Sequence, residues 1–131
     1  MKYLIMLFAI GFTTQFQLVA QTAEYKINFS SPLSVVKAIP AAAKSGDYKM
    51  LKCLCDPLDE GDSDTKNICS LEELKNNIRR FNLAIEALKN MEVYDVTYID
   101  EKNAFVKIKI IGKDEKMNMI SRYGNWYLSS F

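Results

Sequence analysis

The stretch MEVYDVTYIDEKNAFVKIKIIGKDEKMNMISRYGNWYLSSF, from Met91 to Phe131, decides the fold of this chain. Apolar and polar side chains alternate through it with a period of two, which is typical of half-buried β-strands. The predicted strands are residues 91–99, 104–111, 116–123 and 126–131. Turn-forming residues lie between them at 100–103, 112–115 and 124–125. Because short turns join consecutive strands, the pattern predicts a four-stranded antiparallel meander.

The residues before this stretch predict helices. Ser31 and Pro32 are typical of an N-cap and a first helical position, and Gly46 of a helix end. Between them run the apolar residues Leu33, Val36 and Ile39. Pro40 lies inside this helical pattern and should kink or split the helix, because proline lacks the backbone donor.

Two further helices are predicted. Asp47 caps a short one over residues 47–55, which ends at Pro57, and residues 58–67 read as a loop. Ser70 and Glu73 form a capping-box pattern that opens the longest helix, which ends near Asn90. Its apolar stripe is Leu74, Ile78, Phe81, Ile85 and Leu88. The fold class is therefore α+β, with N-terminal helices packed on the apolar face of a curved, cone-shaped sheet.

The N-terminus resembles a secretory signal peptide. Lys2 precedes the apolar run from Tyr3 to Phe12, which is too short to span a bilayer, and small residues follow to a cleavage point near Ala20 or Gln21. The alternatives are a membrane anchor or a buried first helix. The domains are thus a signal peptide (1–21), a linker (22–30) and one α+β domain (31–131). An exported protein, periplasmic or extracellular and without an integral membrane segment after cleavage, is expected.

Composition excludes several function classes. The 131 residues contain no histidine, which removes the commonest general base and metal ligand. Lys and Arg number 17 against 16 Asp and Glu, and loss of Lys2 with the signal peptide makes them equal. A neutral chain has no bulk attraction for phosphates, so nucleic acid is not an expected partner.

All three cysteines lie in LKCLCDPLDEGDSDTKNICSLEEL, from Leu51 to Leu74. An exported chain favours disulfides, and Cys53 and Cys55 point to different sides of the predicted helix and cannot bond to each other. The favoured pair is Cys55–Cys69, with Cys53–Cys69 second and three reduced thiols as the remaining alternative. A 15-residue loop closed in this way contributes about 3 kcal/mol.

Metal and nucleophile chemistry are weaker hypotheses for the same segment. Its cysteine spacing lacks the paired pattern of zinc sites. In an EF-hand alignment Leu58 and Asn67 occupy ligand positions that they cannot serve, so a solvated acidic loop is expected. A cysteine nucleophile has no histidine to activate it. We therefore predict no metal and no cofactor.

Two segments carry a resemblance to a known family. SPLSVVKAIPAAAKSGDYKMLKCLCDP resembles the first helical pair of the nuclear-transport-factor-two-like superfamily, also called SnoaL-like or cystatin-like cone proteins. NAFVKIKIIGKDEKMNMISRYGNWYLSSF resembles its closing hairpins. The matching residues are Gly46, Asp47, Tyr48, Asp56, Pro57, Ala104, Val106, Gly124 and Trp126. The resemblance covers residues 31–131 and implies a cone with an internal pocket. Its enzymes place an Asp, His or Tyr in that cone, but Tyr94 and Asp95 match no catalytic position, so no catalytic residue is assigned.

Function is expected at the sheet. Aromatic and methionine side chains that line a pocket for an apolar ligand would be Tyr94, Tyr98, Met117, Met119 and Trp126. The first hypothesis is a non-enzymatic domain that binds a small apolar ligand or a protein partner. The second is an isomerase- or lyase-like enzyme with a buried carboxylate, for which Asp95 is the first residue to test. The third is a structural protein that forms homodimers through its open sheet face.

Overall fold

The computed structural model describes residues 27–59 and 61–131. The helices are α1 (Pro32–Ser45), α2 (Tyr48–Lys52), α3 (Ser63–Cys69), a 3₁₀ helix (Leu71–Asn76) and α4 (Ile78–Lys89). The strands are β1 (Glu92–Tyr98), β2 (Asn103–Ile110), β3 (Lys113–Arg122) and β4 (Asn125–Ser130). The strands pair as an antiparallel sheet in the order β1-β2-β3-β4. The predicted α+β class, helices packed on a four-stranded meander, is confirmed.

The sheet buries one face, as its alternation predicts. Ala104, Val106 and Ile108 of β2 are buried, whereas Lys107 between them is exposed. Met117 of β3 pairs with Val106 in register, so that their side chains lie on the same buried face. Helix α1 covers this face with buried residues that include Val35, Val36, Ala38, Ile39, Ala42 and Ala43. The helix runs unbroken through Pro40, so the predicted split does not occur.

A β-bulge interrupts strand β1. Val93 pairs with Ile108 and Val96 with Val106, so that two residues of β1, Tyr94 and Asp95, lie opposite the single residue Lys107. Because of the extra residue, Val96 lies on the same face of the sheet as Val93. Both side chains pack against the core. Strict alternation would have placed Asp95 on the inner face beside Val93, but the bulge leaves Asp95 exposed.

The long helix is shorter than predicted. Residues 71–76 form a 3₁₀ helix with no side-chain cap at Ser70, so the predicted capping box is wrong. Asn77 begins α4 instead, because its side-chain oxygen accepts a hydrogen bond from the Arg80 backbone N–H at 3.3 Å. Ile78, placed in the apolar stripe by its spacing, is 72% exposed.

The segment from residue 47 to residue 69 also differs from its prediction. Helix α2 ends at Lys52, and Asp47 makes no side-chain capping bond. Cys55 is therefore not helical and forms a β-bridge with Leu128 instead. Residues 58–67, expected as a loop, contain most of α3, which Asp62 caps.

The free edge of β4 is covered by the chain itself. The Trp126 backbone N–H donates to the Phe29 carbonyl and the Leu128 N–H to the Leu54 carbonyl, both at 2.7 Å, and the Asp56 N–H donates to the Leu128 carbonyl at 3.0 Å. Phe29 also packs its ring against Tyr127. Phe29, which the sequence assigned to the linker, thus contacts the domain. The predicted signal peptide (1–21) lies outside the described residues. No helix within the described ranges has the length and apolar character that a bilayer crossing requires.

Candidate functional site

A groove with a mostly apolar lining lies between the helices and one end of the sheet. Its volume is about 140 Å³. Its walls come from α3, α4, the end of β2 and Phe131. The lining residues are Asp64, Asn67, Ile68, Ala84, Ala87, Leu88, Ile110 and Phe131. We call this opening the α3–α4 groove.

The α4 wall explains why the groove is open. Ala84, Ala87 and Leu88 lie three and four residues apart and therefore share one face of the helix. Leu88 is buried in the core, while the two alanines leave space that a larger side chain would fill. The sequence shows the amphipathic spacing of this helix. It does not show that Ala84 and Ala87 border a groove, because that depends on which residues lie opposite them.

A disulfide and a capping carboxylate hold the α3 wall. Cys55 and Cys69 are bonded, with their Cα atoms 6.2 Å apart, which confirms the favoured pairing and leaves Cys53 free and exposed. Asp62 begins α3, because its Oδ1 accepts from the Thr65 backbone N–H at 2.9 Å and from the Thr65 hydroxyl at 2.6 Å. Helix α3 is thereby fixed at both ends.

Asp62 also connects α3 to the end of the sheet. Its Oδ2 accepts a hydrogen bond from the Phe131 backbone N–H at 3.0 Å. Burial tends to raise the pKa of Asp62, but the bonds from Thr65 and Phe131 outweigh it and lower the pKa. The carboxylate therefore stays ionised and positions two walls of the groove.

Gly61 permits the close approach of this loop to β4. Its φ is +72°, and a Cβ built on it would lie 2.6 Å from the Ser129 carbonyl oxygen. Only glycine adopts this conformation with the backbone of β4 so near. The turn places Asp62 where it reaches Phe131.

Beside the groove, the β2–β3 turn carries a strained apolar residue. Ile111 directly follows Ile110 of the groove wall, has a φ of 51° and is 79% exposed. A β-branched residue at positive φ is an outlier in folded proteins. The first position of a two-residue hairpin turn with positive φ favours Asn, Asp or Gly. Strain of this kind costs about 1–3 kcal/mol and is concentrated at functional sites.

Of the five residues predicted to line a pocket, three lie in the hydrophobic core, a fourth contacts one of these, and the fifth lies apart from them. Met117 and Met119 are enclosed in the core, and Tyr94 lies on the exposed bulge. Tyr98 is 58% exposed at the end of β1 and contacts the buried Trp126 edge to face, with ring centroids 5.8 Å apart. The core thus brings Met117, Met119 and Trp126 together, with Tyr98 against Trp126. None of the five lines the α3–α4 groove.

The bulge borders a larger but charged depression of about 430 Å³. Its lining residues are Tyr94, Asp95, Lys107, Ile108, Asp114, Glu115 and Lys116. Lys116 lies over the Phe105 ring at 4.5 Å. The Tyr94 hydroxyl donates to the Glu92 carboxylate, which raises the pKa of Tyr94. Of the residues that line this open surface, Lys116 and Tyr94 thus have side-chain partners of their own.

A charged pair holds the residue 56–58 turn on the sheet. Arg122 donates to Asp56 through Nε at 3.1 Å and Nη2 at 2.9 Å, and the Leu58 backbone N–H donates to Asp56 Oδ1 at 3.0 Å. The Asp56 side chain is 1% exposed and that of Arg122 is 30% exposed. The hydrogen bonds from Arg122 lower the pKa of Asp56 against the effect of burial. This pair was not foreseen, since 66 residues separate its members.

In residues 27–59 and 61–131, no three Cys, Asp or Glu side chains gather closely enough to hold a metal ion. Comparison with protein-family models, with curated proteins and with solved structures finds no match to this chain. Membership of the nuclear-transport-factor-two-like superfamily therefore remains a prediction, and the function has to be argued from the geometry.

Proposed function

We propose that this protein is an exported, non-catalytic domain that binds a partner protein by receiving one of its apolar side chains in the α3–α4 groove. The observation that carries the proposal is an apolar opening whose walls come from four parts of the chain. The signal-peptide pattern at the N-terminus supports export.

The size of the groove favours a side chain over a whole small molecule. Small-molecule sites usually enclose about 300–1,000 Å³, whereas this groove holds about 140 Å³. An apolar cavity of about 150 Å³ accepts a benzene-sized group. A single phenylalanine side chain matches that size, and buried aromatic anchors that fill pockets contribute much of the binding energy of protein interfaces.

The strained turn supports the same surface. Ile111 exposes an aliphatic side chain next to the groove at a position where it strains the backbone. An apolar residue in that place extends the apolar surface that a partner would cover. The isomerase hypothesis, by contrast, loses Asp95, because its carboxylate is exposed and a general acid or base of that type requires burial.

The groove is tested by NMR with toluene as a probe. Toluene should shift the amide resonances of Ala84, Ala87 and Ile110 of the disulfide-intact domain. Ala87→Trp should abolish these shifts by filling the groove, whereas Asn82→Trp, on an exposed position of the same helix, should leave them unchanged. Absence of shifts in the unaltered domain, or their persistence in Ala87→Trp, would refute the proposed groove.

The partner is tested by photo-crosslinking in the exporting cell. A photoreactive phenylalanine at position 87 should capture a protein that the same group at position 82 does not capture. The purified captured protein should then bind the domain and lose at least about tenfold in affinity for Ala87→Trp. Equal affinity for both forms would refute the proposed function. Concentration-dependent dimerisation of the isolated domain would instead support the structural-protein hypothesis.

A further inference from the structure

The two edges of the sheet differ in whether other segments of the described chain cover them. Residues 29 and 54–56 cover the edge of β4 with backbone hydrogen bonds. Strand β1 forms the other edge, and within the described residues no strand pairs with its outer side. An uncovered strand edge presents backbone donors and acceptors that a second extended chain can use.

The pairing with β2 identifies which groups are free. The Ile99 backbone N–H donates to the Asn103 carbonyl at 2.9 Å. Because hydrogen-bonded positions alternate along an antiparallel pair, the N–H and C=O groups of Thr97 and Ile99 face β2. Those of Val96 and Tyr98 face the open edge. The bulge at residues 94–95 ends this regular strip on one side.

The open edge is acidic. Residues 92–101 contain four acids and no lysine or arginine, and the acids are Glu92, Asp95, Asp100 and Glu101, all exposed. The Asp100 carboxylate accepts from the backbone N–H groups of Lys102 and Asn103 at 2.8 Å each, and these bonds lower its pKa. Lys107 and Lys109 belong to the neighbouring strand β2, and Lys102 lies in the turn between β1 and β2.

We propose that the open edge of β1 accepts an extended, basic segment of a partner protein as an additional antiparallel strand. Backbone bonds to Val96 and Tyr98 would hold the segment, as in other cases of strand addition. Lysine or arginine side chains would face the carboxylates of β1, and the exposed ring of Tyr98 offers a cation–π contact. This surface is separate from the α3–α4 groove and does not depend on the function proposed there.

Charge argues against a second copy of this chain as the occupant. Two β1 strands paired antiparallel would bring the same acids towards one another with no basic residue on either strand. Like charges directly opposite on neighbouring strands are destabilising. Complementary charge, in contrast, accelerates association and selects the partner.

The test uses the disulfide-intact domain and two blocked peptides, KVRVKV and EVEVEV. The basic peptide should slow hydrogen exchange of the Val96 and Tyr98 amides and shift their NMR resonances, and its binding should weaken as salt rises. A KVRVKV peptide N-methylated on alternate residues, which cannot form the edge bonds, should bind at least about tenfold more weakly.

Two variants separate backbone pairing from charge. Val96→Pro removes one outward N–H without touching the bonds to β2, as proline on an edge strand permits, and should abolish the protection. The double variant Asp95→Lys/Glu101→Lys changes exposed residues only, leaves equal numbers of acids and lysines in residues 92–101 and should remove the preference of the domain for KVRVKV over EVEVEV. Ala87→Trp, which fills the groove, should bind KVRVKV normally.

Three results would overturn the proposal. The first is no protection of Val96 and Tyr98 by KVRVKV in the unaltered domain. The second is binding of KVRVKV that the charge-neutralised variant Asp95→Lys/Glu101→Lys retains in full. The third is a dimer of the domain alone, seen by sedimentation, that protects the same two amides.

Discussion

Loss of Arg122 should destabilise the protein more than loss of its partner Asp56. Arg122→Met leaves a carboxylate that is 1% exposed with one remaining hydrogen bond, from the Leu58 N–H. Breaking a buried pair in this way costs about 3–5 kcal/mol. Asp56→Ala leaves a guanidinium that is 30% exposed and can regain water. The expected cost is therefore nearer to the value of its charge-assisted hydrogen bonds, about 2 kcal/mol.

The intact protein and Arg122→Met should also respond to pH in opposite directions. The pKa of Asp56 in the intact protein is lowered, so its contribution is complete above the unfolded value of about 3.9 and is lost as pH falls through the folded value. In Arg122→Met, burial without the guanidinium should raise the pKa of Asp56 above the unfolded value. The folded state then binds the proton more readily than the unfolded state, so this variant should gain stability as pH falls from 7 towards 4.

Urea unfolding, followed by the fluorescence of the single and buried Trp126, measures both effects. With a slope of about 1.5 kcal/mol per molar urea, Arg122→Met should lower the midpoint by roughly 2 M or more. Glu72→Ala breaks the exposed pair with Lys75 and serves as the control, with an expected change below about 0.5 kcal/mol. Equal losses of unfolding free energy for Arg122→Met and Asp56→Ala at pH 7 would refute the reasoning. Parallel stability–pH profiles for the intact protein and Arg122→Met would also refute it.

Three further predictions concern the loop and the turns. Replacing both Cys55 and Cys69 with serine should lower the free energy of unfolding by about 3 kcal/mol, and a mass that shows three free thiols in the exported protein would contradict the disulfide. Ile111→Asn should raise the melting temperature by relieving about 1 kcal/mol of strain while weakening partner binding, and an unchanged melting temperature would argue against that strain. Gly61→Ala should destabilise markedly more than Gly46→Ala, since both have positive φ but open space surrounds only Gly46; equal losses of stability in thermal melts would contradict this account.

Short-range signals in the sequence were sufficient for the strands and for the first helix. The alternation from Met91 onward predicts four strands, since a half-buried strand requires a period of two wherever it lies. Ser31, Pro32 and Gly46 predict the bounds of α1 because caps act within a few residues. The sequence also favoured the Cys55–Cys69 pairing, because three cysteines allow few pairings and Cys53 cannot bond to Cys55 on the predicted helix.

The errors arise where a local signal competes with a distant contact or with another local signal. Asn77 and the Ser70–Glu73 pattern are both reasonable helix starts, and the structure begins α4 at Asn77. Asp62 and Thr65 form a cap that sequence inspection could have found within the acidic segment. The bulge at residues 94–95 has no composition of its own and follows from keeping Val93 and Val96 on the core.

The sequence by itself determined the layer order and the strand alternation and favoured the Cys55–Cys69 disulfide, because each depends on neighbours in the chain or on the steric limits of a few residues. Only the tertiary structure decided which sheet edge is covered and where the groove opens. The covered edge of β4 depends on Phe29 and Leu54, and the groove on α3, α4 and the last residue meeting at one place. Such surfaces are formed by segments far apart in the chain, and no local pattern specifies their separation in space.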